Sequence, residues 1–276
     1  MYCTDFEYDN QRLSDYGCVV CHISDSADLQ TVNIGSKITF NTINMTQQNK
    51  FKAMSTQYDE AYTTTFEIGK FSCNTDDYEL SQEEVSALMR WLNKKSYKKF
   101  KAVYKDGEFG NVYYMGSFNV EMITYAGKII GLSLTLQTNA PFGYYEQVEY
   151  SMNFVTADDT NSLFDISDEI GTIYAQNVVI ECLEDGDLSI HNSQDGKRST
   201  VIKNCVKGEV LTLDGENKII TSSVNHPKLY NDFNYNYLRI SNKNESTIDD
   251  IENIFTVSLP CNISFTYSPI CKMGIV

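Results

Sequence analysis

The sequence predicts a mainly β protein with one α-helix. Three observations point there. Tyr and Phe number 19 and 14 against a single Trp, β-branched and aromatic residues recur in short alternating runs, and Asp-Gly or similar turn pairs separate those runs. At 276 residues the chain has room for one large or two ordinary domains of about 100–150 residues each. We read an α+β N-terminal domain over residues 1–155 and an all-β C-terminal domain over 156–276, divided near the polar, acidic stretch from Asp158 to Gly171.

Taken in order, the first elements are apolar runs at Tyr16–Ile23 and Val32–Phe40, both read as strands. Between Asn41 and Asp59 lies a stretch rich in Asn and Gln with few punctuators, which is either a long loop or an extended arm. A strand over Tyr62–Phe71 follows. One helix is predicted, from Ser81 to about Lys95. Ser81 and Glu84 have capping-box spacing, Leu80 and Val85 have staple spacing, and Val85, Leu88, Met89 and Leu92 form one apolar stripe. Strands at Lys101–Tyr104, Val112–Phe118, Val120–Tyr125 and Lys128–Thr138 come next, the last two joined at Ala126-Gly127. In the second half, runs at Val178–Leu183, Leu188–His191, Arg198–Cys205, Glu209–Leu213, Lys218–Ser222, Tyr237–Ile240, Ile254–Leu259 and Asn262–Tyr267 alternate with Asp185-Gly186, Asp195-Gly196 and Asp214-Gly215. That rhythm is the pattern of a β-sandwich.

Twenty-two basic against 37 acidic residues give a formal charge of −15, a field that repels phosphate backbones and argues against tight nucleic-acid binding. No run of about 20 apolar residues reads as a membrane span, and the N-terminus lacks the pattern of an export signal. Eight cysteines without such a signal read as reduced thiols.

Cys18-Val-Val-Cys21-His22 matches the attachment pattern of c-type haem. On a strand, however, residues three apart face opposite sides, so two buried strand thiols is the simpler reading. No second Cys or His pair completes a zinc site around it. No cofactor is expected. His22, His191 and His226 are isolated, and no nucleophile, phosphate-loop or zinc-protease motif accompanies them. His191 near Asp195 reads as a surface histidine, and Glu184, Asp185 and Asp187 as a solvated turn without the ordered ligand spacing of a calcium loop. The chain is not expected to be an enzyme. Tyr230, Phe233, Tyr235 and Tyr237 form an aromatic run whose alternate rings face a core, a protein partner or a glycan.

Several motifs, in order, resemble the distal tail proteins of long-tailed, siphophage-type bacteriophages. They are Phe6-x-Tyr8 with Ser14-Asp15-Tyr16-Gly17, the capped helix before the Phe118–Tyr125 segment, Gln137-Thr-Asn139-Ala-Pro-Phe142-Gly, Gly186-Asp187-Leu188-Ser189-Ile190-x-Asn192, Gly208-Glu209 through Ser222, and the aromatic run from Phe233 to Leu238. The resemblance covers nearly the whole chain. It implies an N-terminal belt domain that closes a hexameric ring and a galectin-like C-terminal β-sandwich. The partners it implies are the tail tube protein, a tail-associated protein, the tape measure protein and receptor-binding proteins, with DNA only passing through the lumen. It further implies a place at the virion tail tip after assembly in the host cytoplasm. The Asn41–Asp59 arm, including Thr46, Gln47, Phe51 and Ala53, is the expected ring interface through strand pairing. The alternative is a monomeric glycan-binding module that uses the Tyr230, Phe233, Tyr235 and Tyr237 run.

Overall fold

The computed structural model describes residues 3–23, 34–45, 50–70, 78–104, 109–242 and 251–275. Cα packing divides the chain into two compact units, residues 1–145 with 271–276, and residues 146–270.

In the first unit the elements are β1 (Cys3–Tyr8), β2 (Gln11–Arg12), β3 (Cys18–Cys21), β4 (Ile38–Met45), β5 (Lys50–Tyr58), β6 (Thr63–Lys70), α1 (Gln82–Leu92), β7 (Lys98–Tyr104), β8 (Phe109–Tyr125), β9 (Lys128–Thr138) and β10 (Gly143–Tyr145). Antiparallel pairing builds one sheet in the order β2-β1-β7-β8-β9-β6-β3, with β10 against β8. The two expected strands at 112–118 and 120–125 are a single strand, β8, 17 residues long. No turn residue interrupts them, and Asn119 keeps its place opposite Thr135. The first part of β8 pairs with β7 and the rest with β9. Ala126 and Gly127 close the β8–β9 turn with φ of 48° and 79°, the two left-handed positions that a tight hairpin requires. At Gly131 an added Cβ would lie 2.5 Å from the Ile68 carbonyl oxygen. Close approach of β6 therefore demands glycine there.

Helix α1 starts as read. The Glu84 amide donates to Ser81 Oγ at 3.2 Å and the Ser81 amide to Glu84 Oε2 at 2.8 Å. It ends at Leu92, short of Lys95. Its buried face is Leu88, Trp91 and Leu92, while Met89 points to solvent. The indole decides that rotation. Trp91 stacks on Tyr16 at 4.5 Å and on Phe6 at 5.7 Å, and its Nε1 donates to the Tyr8 carbonyl at 2.9 Å. Phe6, Tyr8, Phe66, Phe100, Phe118 and the alternating Leu132, Leu134 and Leu136 complete the core. The C-terminal residues return to this unit. The Ile275 amide donates to Tyr62 Oη at 3.1 Å, Tyr114 Oη donates to the Met273 carbonyl, and Ile275 is buried.

The second unit contains β11 (Val148–Phe154), β12 (Thr160–Asp165), β13 (Gly171–Tyr174), β14 (Gln176–Cys182), β15 (Gly186–Asn192), β16 (Ser199–Cys205), β17 (Val210–Asp214), β18 (Ile219–Ser222), α2 (Leu229–Asp232), β19 (Arg239–Asn242), β20 (Ile251–Val257) and β21 (Cys261–Tyr267). A five-stranded sheet, β11-β21-β14-β17-β18, shares one core with a four-stranded sheet, β12-β20-β15-β16. β13 and β19 form a separate pair. Period-2 alternation sends Ile263, Phe265 and Tyr267 inward from one sheet and Leu188, Ile190, Phe255 and Val257 from the other. The stretch read as a polar divider contains β12, paired with β20 from Thr160 opposite Thr256 to Asp165 opposite Ile251. Its inward Asp165 is satisfied by Ser167 Oγ at 2.8 Å and Tyr267 Oη at 3.2 Å, which is why a carboxylate sits there without penalty.

Candidate interaction surfaces

β4 and β5 form a two-stranded antiparallel hairpin that joins no other strand among the described residues. The Asn41–Asp59 stretch is thus an extended arm and not a loop. Thr46 and Gln47 lie outside the described residues. Phe51 and Ala53 lie on β5, both exposed, with Phe51 at 72%. The register is offset once, since Asn41 faces Ser55 but Thr42 faces Ala53, leaving Met54 as a bulge. The offset sorts the side chains. Ile38, Phe40, Phe51, Ala53 and Tyr58 share one face, whereas Lys50 and Lys52 share the other with Ile43 and Met45. Ile38, Phe40, Ile43, Phe51 and Met54 are all exposed. A lone hairpin is marginal in water, and bare edges with a bare apolar face call for a partner. The arm is also basic in an acidic chain. No Asp or Glu occurs from residue 38 to 58; Lys37 pairs with Asp59 at its base at 3.2 Å.

The aromatic run of the second unit divides into two pairs. Phe233 and Tyr237 are buried at 3% and 2% and belong to the sandwich core, so they offer no contact surface. Tyr230 and Tyr235 are exposed at 65% and 55%. Phe233 is the hinge of the group, tilted on Tyr235 at 5.3 Å and edge-on to Tyr237 at 5.1 Å. Backbone contacts tie the segment to β16: Phe233 bridges Ile202, the Asn234 amide donates to the Val201 carbonyl, and Asn234 Oδ1 accepts from the Val201 amide, both at 3.1 Å. Asn234 and Asn236 each donate a side-chain amide to the Ser199 carbonyl, at 2.8 and 3.0 Å.

At the base of this segment, His226 joins two carboxylates. Its Nδ1 lies 2.9 Å from Glu209 Oε1 and its Nε2 3.2 Å from Asp232 Oδ2. Glu209 is fully buried and also accepts from Ser222 Oγ at 2.6 Å and the Val206 amide at 3.0 Å. Carboxylates only accept, so both ring nitrogens must donate and the imidazole is cationic. Burial pulls the His226 pKa down, but hydrogen bonds and charge from Glu209 and Asp232 outweigh it and the net shift is upward. For Glu209, burial raises the pKa, and Ser222, His226 and the Val206 amide together bring it below the ordinary value. Sequence reasoning left His226 isolated, because no spacing pattern links residues 209, 226 and 232.

The other sequence candidates take structural roles. His191 Nδ1 lies near the Arg198 carbonyl at 3.2 Å, while Asp195 is held by Arg198 Nη1 at 3.0 Å and Arg239 Nε at 3.1 Å. Asp185 and Asp187 accept from the Lys207 and Asn204 amides at 2.6 and 2.9 Å, fixing turns. Cys18 is buried and Cys21 half-buried on β3, and the seven cysteines among the described residues are free thiols. Among the described residues no group of three metal-ligating side chains converges, and no helix is long and apolar enough to cross a membrane.

Comparison with known proteins adds the lineage. A family model described as a phage tail protein N-terminal domain matches residues 1–140, and one described as a phage tail C-terminal domain matches residues 142–267. No curated protein matches the sequence. Among solved structures, the fold is similar to the Dit protein of phage SPP1, described as a paradigm of the hub adsorption apparatus in phages infecting Gram-positive bacteria. The TM-score is 0.61 at 12% identity, with 96% of this chain and 98% of that one covered. A chain of the phage P2 baseplate, described as in its activated conformation with Ca, aligns with a TM-score of 0.45 at 9% identity, with 96% and 98% coverage; the fold likeness rests on the first. With both halves matched, the chain belongs to the phage tail protein family.

Proposed function

We propose that this protein is the hub of a tail tip, in which six copies close a ring through the β4–β5 arm. The single observation carrying this reading is the arm itself, a hairpin with two unpaired edges and an exposed aromatic face. Its unpaired strands would add to a neighbour's sheet, the geometry of β-augmentation. Charge supports a second copy as the neighbour, because a basic arm meets a chain of net −15. The resemblance to distal tail proteins supplies the copy number. Six copies at −15 each would carry −90, and a lumen that shared that sign would let DNA pass without adhering. In this reading the ring joins the tail tube above to a tail-associated protein and the tape measure below, with receptor-binding proteins at the periphery. It sits at the virion tail tip and is assembled in the host cytoplasm.

Light scattering and negative-stain electron microscopy of the purified chain at micromolar concentration test the reading. Hexameric rings, single or stacked, are expected. A particle of one copy under every buffer and concentration tried would overturn it.

A further inference from the structure

We propose that Tyr230 and Tyr235 form a rigid stacking platform for a saccharide, a binding site in the second unit that does not depend on ring formation. The first observation is backbone strain. Five non-glycine residues among those described in this unit have φ in the left-handed region, and three of them are Asp158, Asn177 and Asn204, types that tolerate it. The other two are Lys218 and Tyr235, at 59° and 58°. A bulky ring in that region is an outlier that persists only where its surroundings over-determine it. Both outliers converge on one spot, since Lys218 Nζ lies 4.9 Å from the Tyr237 ring and 3.3 Å from the Tyr174 ring, and Tyr237 packs on Phe233 beneath Tyr235.

The second observation is what the surroundings achieve. Four hydrogen bonds from Asn234 and Asn236 to β16, the Phe233–Ile202 bridge and the His226 ion pairs hold the segment at both ends. The Tyr235 hydroxyl donates to the Tyr230 carbonyl at 2.9 Å, fixing the two residues against each other. Yet both rings stay mostly exposed, with Tyr235 resting on Phe233 at 5.3 Å. A fold that only needed a connection here would not hold a tyrosine in an unfavourable backbone state to keep its ring in water. Preorganised, solvent-facing aromatic rings lose little freedom on binding and offer a flat apolar face to the C–H face of a sugar. The polar flanks suit hydroxyl groups: Asn225, Lys228 and Asn231 are exposed and lie next to the rings in the chain. Two rings amid polar residues are far smaller than the roughly 800 Å² per partner of a standard protein interface, which favours the saccharide over a protein.

The test uses the full chain on an array of bacterial cell-surface oligosaccharides, followed by titration of the best-retained oligosaccharide in solution. Tyr235→Phe keeps the ring but removes the hydroxyl that fixes Tyr230, so it should bind more weakly than wild type and more tightly than Tyr235→Ala. Tyr235→Ala and Tyr230→Ala should each weaken binding about tenfold or more. Circular dichroism checks the fold of each variant. The Tyr230 ring makes no structural hydrogen bond of its own, so Tyr230→Ala reports on the site even where Tyr235→Ala unfolds. Absence of any retained oligosaccharide, or retention of wild-type affinity by both alanine variants, would overturn the proposal. Particle mass, measured in parallel, distinguishes failure of this site from failure of the ring.

Discussion

His226 Nδ1 sits 2.9 Å from Oε1 of Glu209, a carboxylate with no exposed surface, and this pair anchors the segment that carries Tyr230 and Tyr235. Its two members titrate in opposite directions on folding. The raised pKa of His226 contributes stability that is complete below its unfolded value of 6.5 and is lost as pH rises through the higher folded value. The lowered pKa of Glu209 contributes stability that is complete above 4.5 and is lost as pH falls through the lower folded value. The second unit should therefore be most stable between pH 4.5 and 6.5 and weaken on the alkaline side. Urea unfolding followed by circular dichroism across pH 4 to 10 checks this, with His226→Gln as the variant whose alkaline slope should flatten.

Replacing His226 by alanine leaves Glu209 buried beside only Ser222 and a backbone amide. A stranded buried charge costs about 3–5 kcal/mol; since Glu209 keeps its hydrogen bonds from Ser222 and the Val206 amide, a loss of about 3 kcal/mol is expected. His226→Ala together with Glu209→Gln should recover part of it, because the neutral amide no longer needs a cation. A double variant as unstable as the single one would show that packing, not charge, sets the cost.

Phe51→Asp should leave the stability of a single copy within about 0.5 kcal/mol, because an exposed side chain contributes little to its own fold. Assembly should fail, since the charge enters the aromatic face that the ring reading buries. Light scattering measures both species, and rings of unchanged stability in Phe51→Asp would contradict the assigned face.

Trp91 is the one tryptophan of the chain and sits in the core of the first unit, stacked on Tyr16. Fluorescence should follow that unit alone, while circular dichroism follows both. The circular-dichroism transition should move with pH above 6.5 more than the fluorescence transition, because the His226 ion pairs belong to the second unit. Trp91→Phe keeps most of the packing but leaves the Tyr8 carbonyl without its donor, at a cost of about 1–3 kcal/mol.

Much of this architecture is legible from local chemistry. The capping box of Ser81 and Glu84 and the Ala126-Gly127 turn encode their structures within four residues, and both form as read. The alternation of Leu132, Leu134 and Leu136 fixes the inner face of β9 in the same way. What was not legible is non-local. Met89 and Trp91 compete for the buried face of α1, and the winner depends on Phe6 and Tyr16, far away in sequence. β12 hides in an acidic stretch because Asp165 is satisfied by Tyr267, about a hundred residues on. The arm shows weak strand patterning because it carries apolar residues on both faces, and its bulge breaks the period of two. In the aromatic run, alternation separates Phe233 and Tyr237 from Tyr235, but nothing in the sequence reveals the left-handed backbone of Tyr235.

The extra residue at Met54 makes the arm a reading frame. Were Met54 to pair in register opposite Thr42, the bulge would vanish and the residues from Lys50 to Ala53 would each slip one place along β4, so that Phe51 and Ala53 would exchange sides with Lys50 and Lys52. The composition of the hairpin would not change, yet the aromatic stripe would be cut in two with cations set into its outer half. A slip this small would be invisible to hydrophobicity counts and would still redirect what the arm can grip.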